Sequence, residues 1–293
     1  MVHLPTKSLL KRQGLAPQKK LGQNFLVHER TPRRIVDLAG LNPEDEVIEV
    51  GVGLGALTRP LAAACAKVIG LEADSGIIRM HEQQQDLPTN VELIHADVLK
   101  MDFATLVQPG KRLKIVTNLP YSISSPFLFR LIDHAELMDF AVVMLQKEVA
   151  QRLCAQPGTK EYGVPTVLLA ACATVTPLLS VHPAEFHPQP KVDSQVIKIT
   201  FNPVPASAQA LGDFDHRLFT RVVHAAFGQR RKTLLNGLSS GGLGEKTQLN
   251  LAIEATGLSP SVRAETLHLA QFVALTRALQ PLSAAQPEPR PLS

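Results

Sequence analysis

The chain has 293 residues, of which 45% are hydrophobic, so it is long enough for one large domain or for an ordinary domain with a smaller one attached. No run approaches the roughly 18 apolar residues of a membrane span, and no apolar stretch near the N-terminus leads to a cleavage site. Cys65, Cys154 and Cys172 lack the spacing of a metal site or a disulfide framework. The sequence therefore predicts a soluble cytoplasmic protein without a metal or a membrane partner.

The net charge of +4 is unevenly distributed along the chain. Residues 1–34 hold eight Lys or Arg against one Asp or Glu, residues 213–293 hold nine against six, and the middle of the chain is therefore net negative by six. Basic flanks suit a polyanion, while a small cationic or neutral molecule suits the middle. Charged termini are also common as solvated tails, so charge alone leaves nucleic-acid binding open.

Short β-rich runs alternate with helix-like stretches between residues 45 and 201, and this alternation predicts a mostly parallel, Rossmann-like sheet. Two later runs, 174–181 and 195–201, have no full helix between them and predict an antiparallel pair at one edge, giving seven strands. The five parallel candidates are EVIEVG (46–51), KVIGLEA (67–73), VELIHAD (91–97), LKIVTNL (113–119) and FAVVMLQ (140–146).

A proline-rich segment, FNPVPAS (201–207), ends the sheet pattern, and the apolar spacing after it becomes helical. Phe214, Leu218, Val222 and Phe227 carry that helical spacing. The predicted divisions are a basic N-terminal segment at 1–34, an α/β domain at 35–204, an all-helical domain at 205–280 and a disordered proline-rich tail at 281–293.

The segment EVGVGLGALT (49–58) follows the first strand and opens a helix. Gly51 and Gly53 allow a sharp turn and a close approach of the backbone to a ligand. Together with Ala56 they also satisfy the dinucleotide fingerprint, and Glu72, about 20 residues further on, could hold a ribose. A nicotinamide-dependent dehydrogenase is therefore the first rival interpretation.

Two further polar residues, Asp97 after the third strand and Asn118 after the fourth, lie where the carboxyl ends of parallel strands form a crevice. An acceptor in this position can hold an adenine amine. Glu72 suits either a dehydrogenase or a methyltransferase, so Asp97 and Asn118 are the residues that favour the second.

The tetrapeptide Asn118-Leu119-Pro120-Tyr121 has the groups that methylation of an aromatic amine requires. The lone pair of adenine N6 is delocalised, and it becomes nucleophilic when both N–H groups are held by acceptors and the nitrogen pyramidalises. The Asn118 side-chain oxygen and a main-chain carbonyl at Leu119 or Pro120 supply those acceptors. Tyr121 supplies a ring on which an extruded base stacks. The same four residues also occur as an ordinary strand-to-loop turn.

Eight ordered segments resemble one family, the ribosomal RNA small-subunit adenine dimethyltransferases. They are KKLGQNFL (19–26), EVGVGLGALT (49–58), LEAD (71–74), the region of Asp97, NLPYSIS (118–124), MLQKEVAQRL (144–153), FHPQPKVDS (186–194) and FGQRRKTLLNGL (227–238). Two positions depart from the family pattern: Val52 stands where Pro is usual and Ser122 where Asn is common, but neither removes a contact group.

The resemblance implies a seven-stranded class I methyltransferase domain with a smaller helical domain, and S-adenosylmethionine as cofactor. It implies N6,N6-dimethylation of two adjacent adenosines in the 3′-terminal hairpin of 16S rRNA, within the small ribosomal subunit or its precursor, and a role in subunit biogenesis. The sequence leaves the oligomeric state open, and a monomer is the default expectation. The resemblance further implies that Phe186 faces Tyr121 across the target base. The implied cofactor contacts are Asn24, Leu26, Gly51, Glu72, Asp97 and Asn118, with Gly53 in the same loop.

Basic residues in the second domain recur near helical spacing opposite the apolar stripe, which is a pattern that can bind phosphates. A solvated helix face is the usual alternative. The candidates for RNA binding are Arg217, Arg221 and His224, the compact group Arg230-Arg231-Lys232, and Lys11, Arg12, Lys19 and Lys20 near the N-terminus.

Three rivals remain beside the dehydrogenase. The large-subunit rRNA adenine methyltransferases of macrolide resistance share the cofactor site and the tetrapeptide, but the KVDS and QRRKT segments argue against them. A DNA adenine methyltransferase more often has Asp-Pro-Pro-Tyr. A ribosome-assembly factor in which catalysis is secondary would keep the same fold.

Overall fold

The computed structural model describes residues 22–229 and 231–284. The described residues form two compact units. One comprises residues 22–150 and 173–203, and the other comprises residues 151–172 and those from 204 onward. The prediction had placed residues 151–172 with the sheet, whereas the structure places them with the helices.

The first unit is built on a seven-stranded sheet with the order β4-β3-β2-β5-β6-β9-β7. Strands β2 to β6 pair parallel with one another, while β9 pairs antiparallel with both β6 and β7. The predicted seven strands and the antiparallel edge are confirmed. The strands are β2 (Glu46–Val50), β3 (Lys67–Glu72), β4 (Val91–His95), β5 (Leu113–Asn118), β6 (Met138–Gln146), β7 (Thr174–Val181) and β9 (Ser194–Thr200).

The central strands are apolar on both faces because helices cover the sheet. In β6 the run from Phe140 to Leu145 is buried throughout. Helix α1 buries Ile35, Val36 and Ala39, which have helical spacing, and it ends at Gly40 with a φ of 69°. The helices of this unit are α1 (Arg30–Ala39), α2 (Thr58–Ala64), α3 (Ser75–Gln84) and α4 (Ser124–Asp133), and α5 (Lys147–Leu153) leads out of it.

A separate two-stranded sheet joins segments that are far apart in the chain. Strand β1 (Phe25–Leu26) pairs antiparallel with β8 (Phe186–His187), so that Leu26 lies opposite Phe186. Leu26 and Phe186 are buried in the same hydrophobic cluster as Ile35 and Met144. The QNFL and FHPQP segments are thereby fixed to each other and to the core of the sheet unit.

The second unit is helical, as predicted. Residues 151–172 belong to it because the Tyr162 hydroxyl donates a hydrogen bond of 2.8 Å to the Leu267 carbonyl, and because the Tyr162 and Phe272 rings both contact Phe227. In the described residues, no helix has the length and apolarity to cross a membrane. The helices are α6 (Val164–Ala170), α7 (Ala206–Gln209), α8 (His216–Phe227), α9 (Leu234–Ser240), α10 (Lys246–Ala255) and α11 (Leu269–Ala284).

Candidate active site

A cavity of about 540 Å³ opens at the carboxyl ends of β2, β3, β4 and β5, which is where open parallel sheets bind ligands. The structure brings all the predicted cofactor residues to it, together with the first six residues of the NLPYSIS segment. The predicted residues in its lining are Asn24, Leu26, Gly51, Gly53, Glu72, Asp97, Asn118, Leu119, Pro120 and Tyr121.

The glycine loop forms one wall of the cavity. Gly51 has a φ of 77° and Gly53 a φ of 54°, a left-handed backbone that favours glycine. A Cβ atom on Gly53 would lie 3.1 Å from the ring of Phe25, so this position also needs the space. Val52, the departure from the family pattern, is buried against Gly70 of β3, where a Cβ atom would meet the Val52 side chain at 2.6 Å. The loop is thus packed on both sides.

Glu72, at the end of β3, is buried beside this loop. Its carboxylate accepts hydrogen bonds from the main-chain N–H of Gly53 at 3.0 Å and of Asp74 at 2.8 Å. Burial raises the pKa of Glu72, and the hydrogen bonds from Gly53 and Asp74 oppose that shift. Because a carboxylate has about four acceptor positions, Glu72 keeps capacity for ribose hydroxyls.

Asp97 lies at the exposed rim of the cavity, just after β4. Its Oδ1 accepts a hydrogen bond of 3.0 Å from the main-chain N–H of Leu99, which orients the carboxylate in the loop. The second oxygen lies 3.8 Å from Lys100 Nζ. An oriented carboxylate on the rim can accept from an exocyclic amine of a bound base.

Asn118, at the end of β5, is tied to the N-terminal segment. Its side-chain Nδ2 donates to the main-chain carbonyl of Asn24 at 3.1 Å, and Asn24 Nδ2 donates to the carbonyl of Gly22 at 3.2 Å. Gln23 of the same segment donates to Asp74 Oδ2 at 3.0 Å. Since the nitrogen of the Asn118 amide is committed, its oxygen is the acceptor left for a substrate.

The rest of the tetrapeptide forms a tight turn. The Pro120 carbonyl accepts from the main-chain N–H of Ile123 at 3.1 Å, closing a 3-10 turn over Tyr121–Ile123. Because the Pro120 carbonyl is engaged there, the Leu119 carbonyl is favoured as the second acceptor beside Asn118.

Tyr121 is fixed by a residue that the sequence did not identify individually. Its hydroxyl lies 2.5 Å from Oγ of Ser194, which is fully buried at the start of β9. Burial raises the pKa of Tyr121, and the Ser194 hydrogen bond opposes that shift. Ser194 is the last residue of the KVDS segment (191–194), which is part of the resemblance to the family.

The resemblance implies that Phe186 faces Tyr121 across the target base, and in this structure Phe186 lies in β8, opposite Leu26 of β1. It is 4% exposed, packs in the core beside Leu26, and does not line the cavity. The predicted approach of Phe186 to Tyr121 therefore stays a prediction. The position of Leu26, which both lines the cavity and pairs with Phe186, connects the two regions through one strand.

Glu49 is a cavity residue that the sequence reasoning missed. It is the last residue but one of β2, lines the cavity and is 1% exposed, and its Oε2 has no hydrogen-bond partner among the described residues. Burial raises its pKa from 4.5 to about 8, with the carboxylate of Glu72 adding to the shift. Its place two residues before Gly51, in the loop motif itself, is the signal that could have identified it.

The predicted RNA-binding residues are only partly described. Arg217 and Arg221 are exposed on α8, opposite its buried face, and Arg231 and Lys232 are exposed after it. Within the described part of the chain none of these four forms an ion pair. His224 is exposed on the same helix. Lys11, Arg12, Lys19, Lys20 and Arg230 lie outside the described residues.

A parallel sheet with a glycine loop after its first strand, an acid after its second and an antiparallel final pair defines the Rossmann-like methyltransferases. The profile of the family described as "Ribosomal RNA adenine dimethylase" matches residues 15–280. The chain belongs to this family and is a methyltransferase, which excludes the dehydrogenase alternative.

Similar sequences and structures agree with this assignment. "Ribosomal RNA small subunit methyltransferase A" of Desulfotalea psychrophila is 48% identical, over 92% of this chain and 94% of the relative. The protein of the same name from Geobacter metallireducens is 42% identical, over 93% of this chain and 99% of the relative. A dimethyladenosine transferase from Plasmodium falciparum superposes with a TM-score of 0.70 at 25% identity, over 88% of this chain and 98% of that one. The chain shares its fold with the 23S rRNA methyltransferase ErmE. The two superpose with a TM-score of 0.61 at 24% identity, over 87% of this chain and 99% of ErmE.

Proposed function

We propose that this methyltransferase transfers methyl groups from S-adenosylmethionine to N6 of two adjacent adenosines in the 3′-terminal hairpin of 16S rRNA, dimethylating both. The observation that carries the proposal is the committed amide of Asn118, which leaves one neutral oxygen acceptor at the cavity. The names of the relatives, which specify the small subunit, support the choice of substrate.

The residues of the cavity fit this cofactor. Glu49 presents a buried oxygen that has no hydrogen-bond partner in the part of the chain that the structure describes, and a cationic ligand would satisfy it. Gly53 leaves space that a Cβ atom would fill. Glu72 would hold the ribose hydroxyls and Asp97 the adenine amine. When bound, the cofactor supplies an electrophilic methyl group.

The chain's own groups would then activate the target amine. The Asn118 oxygen and the Leu119 carbonyl accept the two N–H bonds, so that the nitrogen lone pair is directed away from both acceptors. Tyr121, anchored by Ser194, offers a face for the base, and Phe186 is assigned the opposite face. No general base is needed, because a methylated aromatic ammonium is acidic and loses its proton to water. After the first transfer only one N–H remains, and a neutral acceptor tolerates the methyl group.

RNA binding is assigned to the basic residues at both ends of the chain. Arg217, Arg221, Arg231 and Lys232 are exposed and form no ion pair with another described residue, so their charges are available to phosphates. Lys11, Arg12, Lys19, Lys20 and Arg230 are assigned the same role from the sequence. One copy of the chain supplies all of these groups, so the proposal is for a monomer that acts with its ribosomal substrate in the cytoplasm.

One assay separates this proposal from its rivals. The protein is incubated with radiolabelled S-adenosylmethionine and, separately, with small subunits lacking the dimethyladenosines, large subunits and duplex DNA, and each product is digested to nucleosides. We expect label only in N6,N6-dimethyladenosine and its monomethyl precursor from the small subunit.

Label confined to large-subunit RNA would establish the macrolide-resistance type of activity instead. Tight binding to small subunits without any transfer would establish an assembly factor.

A further inference from the structure

The carboxyl end of β6 carries a polar side chain that the proposed chemistry does not use. Gln146 is the last residue of β6 and follows a run of buried apolar residues from Phe140 to Leu145. It is partly buried, and it does not line the cavity at the ends of β2 to β5. Open sheets bind ligands at the carboxyl ends of their strands, so Gln146 is placed to contact a substrate beside the cavity.

The strand register puts Gln146 on the same face of the sheet as Asn118. Gln146 lies opposite Ser194 of β9, and Met144 lies opposite both Asn118 of β5 and Val196 of β9. Paired residues on neighbouring strands share a face, and so do residues two apart on one strand. The side chains of Asn118, Gln146 and Ser194 therefore project from one face at the carboxyl edge of the sheet.

The aromatic residues assigned to the target base belong to this same face. The Tyr121 hydroxyl lies 2.5 Å from Oγ of Ser194, the residue directly opposite Gln146. Phe186 packs in one hydrophobic cluster with Met144, two residues before Gln146. Gln146 thus lies between the anchor of one aromatic ring and the cluster that holds the other.

The amide of Gln146 is available to a ligand. Within the described part of the chain, its side chain forms no hydrogen bond with another residue. Gln195 of β9 is different, because it accepts from Ser180 Oγ at 2.8 Å and donates to the carbonyl of Val196 at 3.2 Å. Gln195 lies opposite Leu145, on the other face of the sheet.

Adenine offers the amide of Gln146 a hydrogen-bond acceptor close to the reacting amine. N1 and N7 lie on either side of N6, and both are ring nitrogens with a free lone pair. Side chains on a diagonal between neighbouring strands are roughly 7–8 Å apart, which is within the reach of a long side chain. Asn118 and Gln146 have this diagonal relation, so one base can place N6 at Asn118 and a ring nitrogen at Gln146.

We propose that Gln146 is a specificity-determining residue whose side-chain amide donates a hydrogen bond to N1 or N7 of the target adenine. The inference rests on the proposed function, because it takes Asn118 to be an acceptor for N6. The contact uses no hydrogen of N6, so it is kept after the first methyl transfer, when Asn118 or the Leu119 carbonyl has lost its donor. The second transfer therefore depends on Gln146 more than the first.

The test uses small subunits reconstituted with 16S rRNA whose 3′ end is a ligated synthetic fragment. One adenosine of the target pair is replaced by purine riboside, which has no amine to methylate. The other is adenosine, 1-deazaadenosine or 7-deazaadenosine, and each analogue exchanges one ring nitrogen for C–H while keeping N6. We expect one of the two analogues to lower kcat/KM of the wild-type protein about tenfold, the equivalent of one hydrogen bond, and that analogue identifies the ring nitrogen.

Two variants connect this loss to Gln146. Gln146→Met keeps the length of the side chain and removes the donor, so kcat/KM for adenosine should fall about tenfold. The effective analogue should then cause no further loss, because the same hydrogen bond is already absent. The ratio of N6-monomethyladenosine to N6,N6-dimethyladenosine in the product should rise. Gln146→Glu should behave like Gln146→Met, because an ionised carboxylate cannot donate.

Gln195→Met is the matched control, since it makes the same change on the neighbouring strand but on the opposite face. It should keep the response of the wild type to both analogues. The affinity of Gln146→Met for S-adenosylhomocysteine, measured by calorimetry, should equal that of the wild type, because Gln146 does not line the cavity. Unchanged affinity also shows that the variant is folded.

Wild-type transfer that is equally fast with adenosine and with both analogues would overturn the inference, and this result needs no variant. A loss caused by an analogue that is as large in Gln146→Met as in the wild type would overturn it as well, because the loss would then arise from the electronic properties of the analogue. If the wild type bound S-adenosylhomocysteine but left the adenosine substrate unmethylated, the proposed function would fail and the inference with it.

Discussion

The side chain of Asn118 donates a hydrogen bond of 3.1 Å to the main-chain carbonyl of Asn24, and this bond orients the amide at the end of β5. The nitrogen is held by a residue 94 positions earlier in the chain, so the oxygen is the atom to which the proposed function assigns the target amine. The orientation explains why an amide suits this position better than a carboxylate, whose second oxygen would face the Asn24 carbonyl.

Replacing Asn118 should separate catalysis from substrate binding. Asn118→Ala is expected to lower kcat by at least about 100-fold, the loss typical of a donor or acceptor aimed at the transition state. Asn118→Asp should fail to restore activity, because a carboxylate oxygen would replace the amide nitrogen and face the carbonyl oxygen of Asn24. Single-turnover transfer assays measure the loss, and binding to small subunits is the control. If Asn118→Ala lost binding as well, the role assigned to Asn118 would be incorrect.

Gly53 should be sensitive to a single added methyl group. Gly53→Ala places a Cβ atom 3.1 Å from the Phe25 ring on a backbone with a φ of 54°, so the glycine loop or the Phe25 ring, both of which line the cavity, must shift. We expect the Kd for S-adenosylmethionine to rise at least about tenfold.

Gly110→Ala is the matched control for this change. Gly110 has a φ of 74° and no atom within 4 Å of its Cβ position, so its replacement carries a similar backbone strain of roughly 1–2 kcal/mol without a clash. Its cofactor affinity, measured by calorimetry, should match the wild type. Equal losses in both variants would show that strain alone, and not the loop geometry, weakens binding.

The hydrogen bond between Tyr121 and Ser194 should be detectable as non-additivity. Tyr121→Phe keeps the ring and loses the hydroxyl, while Ser194→Ala loses the partner, and each is expected to lower kcat/KM about fivefold. The double variant should be little worse than either single one. Tyr121→Ala should cost a further factor of about 10–100, since base stacking contributes about 1–3 kcal/mol. Strictly additive losses would contradict a shared interaction.

Glu49 should make the stability of the protein depend on pH in a defined window. Its pKa is raised from 4.5 to about 8 by burial, so between these values the native state holds a proton that the unfolded state has released. Stability is therefore lost as pH rises through this window, by at most about 1.4 kcal/mol per pH unit. Glu49→Gln should become more stable relative to the wild type as pH increases from 5 to 8, as measured by urea denaturation.

Glu44→Gln provides the control for the loss of one negative charge, because Glu44 is exposed. Its stability relative to the wild type should stay constant over the same pH range. A constant difference for Glu49→Gln as well would show that Glu49 is ionised in the folded protein.

The basic face of α8 should contribute to RNA affinity through phosphate contacts. Arg217→Ala and Arg221→Ala should each weaken binding to the rRNA hairpin. Each should also reduce the magnitude of the slope of log association constant against log salt concentration by about one. Arg79→Ala, an exposed arginine on α3, should change neither quantity. Filter-binding titrations at several salt concentrations measure both. An unchanged slope in the α8 variants would mean that this face is only solvated.

The parallel sheet could be predicted because each of its strands can be recognised from its own residues. Runs such as FAVVML (140–145) are apolar along their whole length, as strands covered on both faces must be. The polar residues that follow such strands meet at one edge of the sheet. The positions of Glu72, Asp97 and Asn118 in one cavity follow from this rule. Family resemblance then supplied Asn24 and Leu26, for which the local sequence carries no signal.

The remaining features depend on contacts between distant residues. Nothing near Phe25 indicates a pairing with a segment around Phe186, and nothing near Tyr162 indicates that it packs with Leu267 in the helical unit. Glu49 and Glu46 lie on the same strand, yet Glu49 is almost fully buried and Glu46 is partly exposed, a difference that only the fold determines.

The pairing of β1 with β8 also orders events during synthesis. Strand β1 leaves the ribosome early, but its partner is made more than 150 residues later, after six strands of the main sheet. A contact that spans so much of the chain forms late, because a long loop must close first. Since β1 carries part of the cavity lining, a nascent chain shorter than about 190 residues has most of its sheet but an incomplete cofactor site.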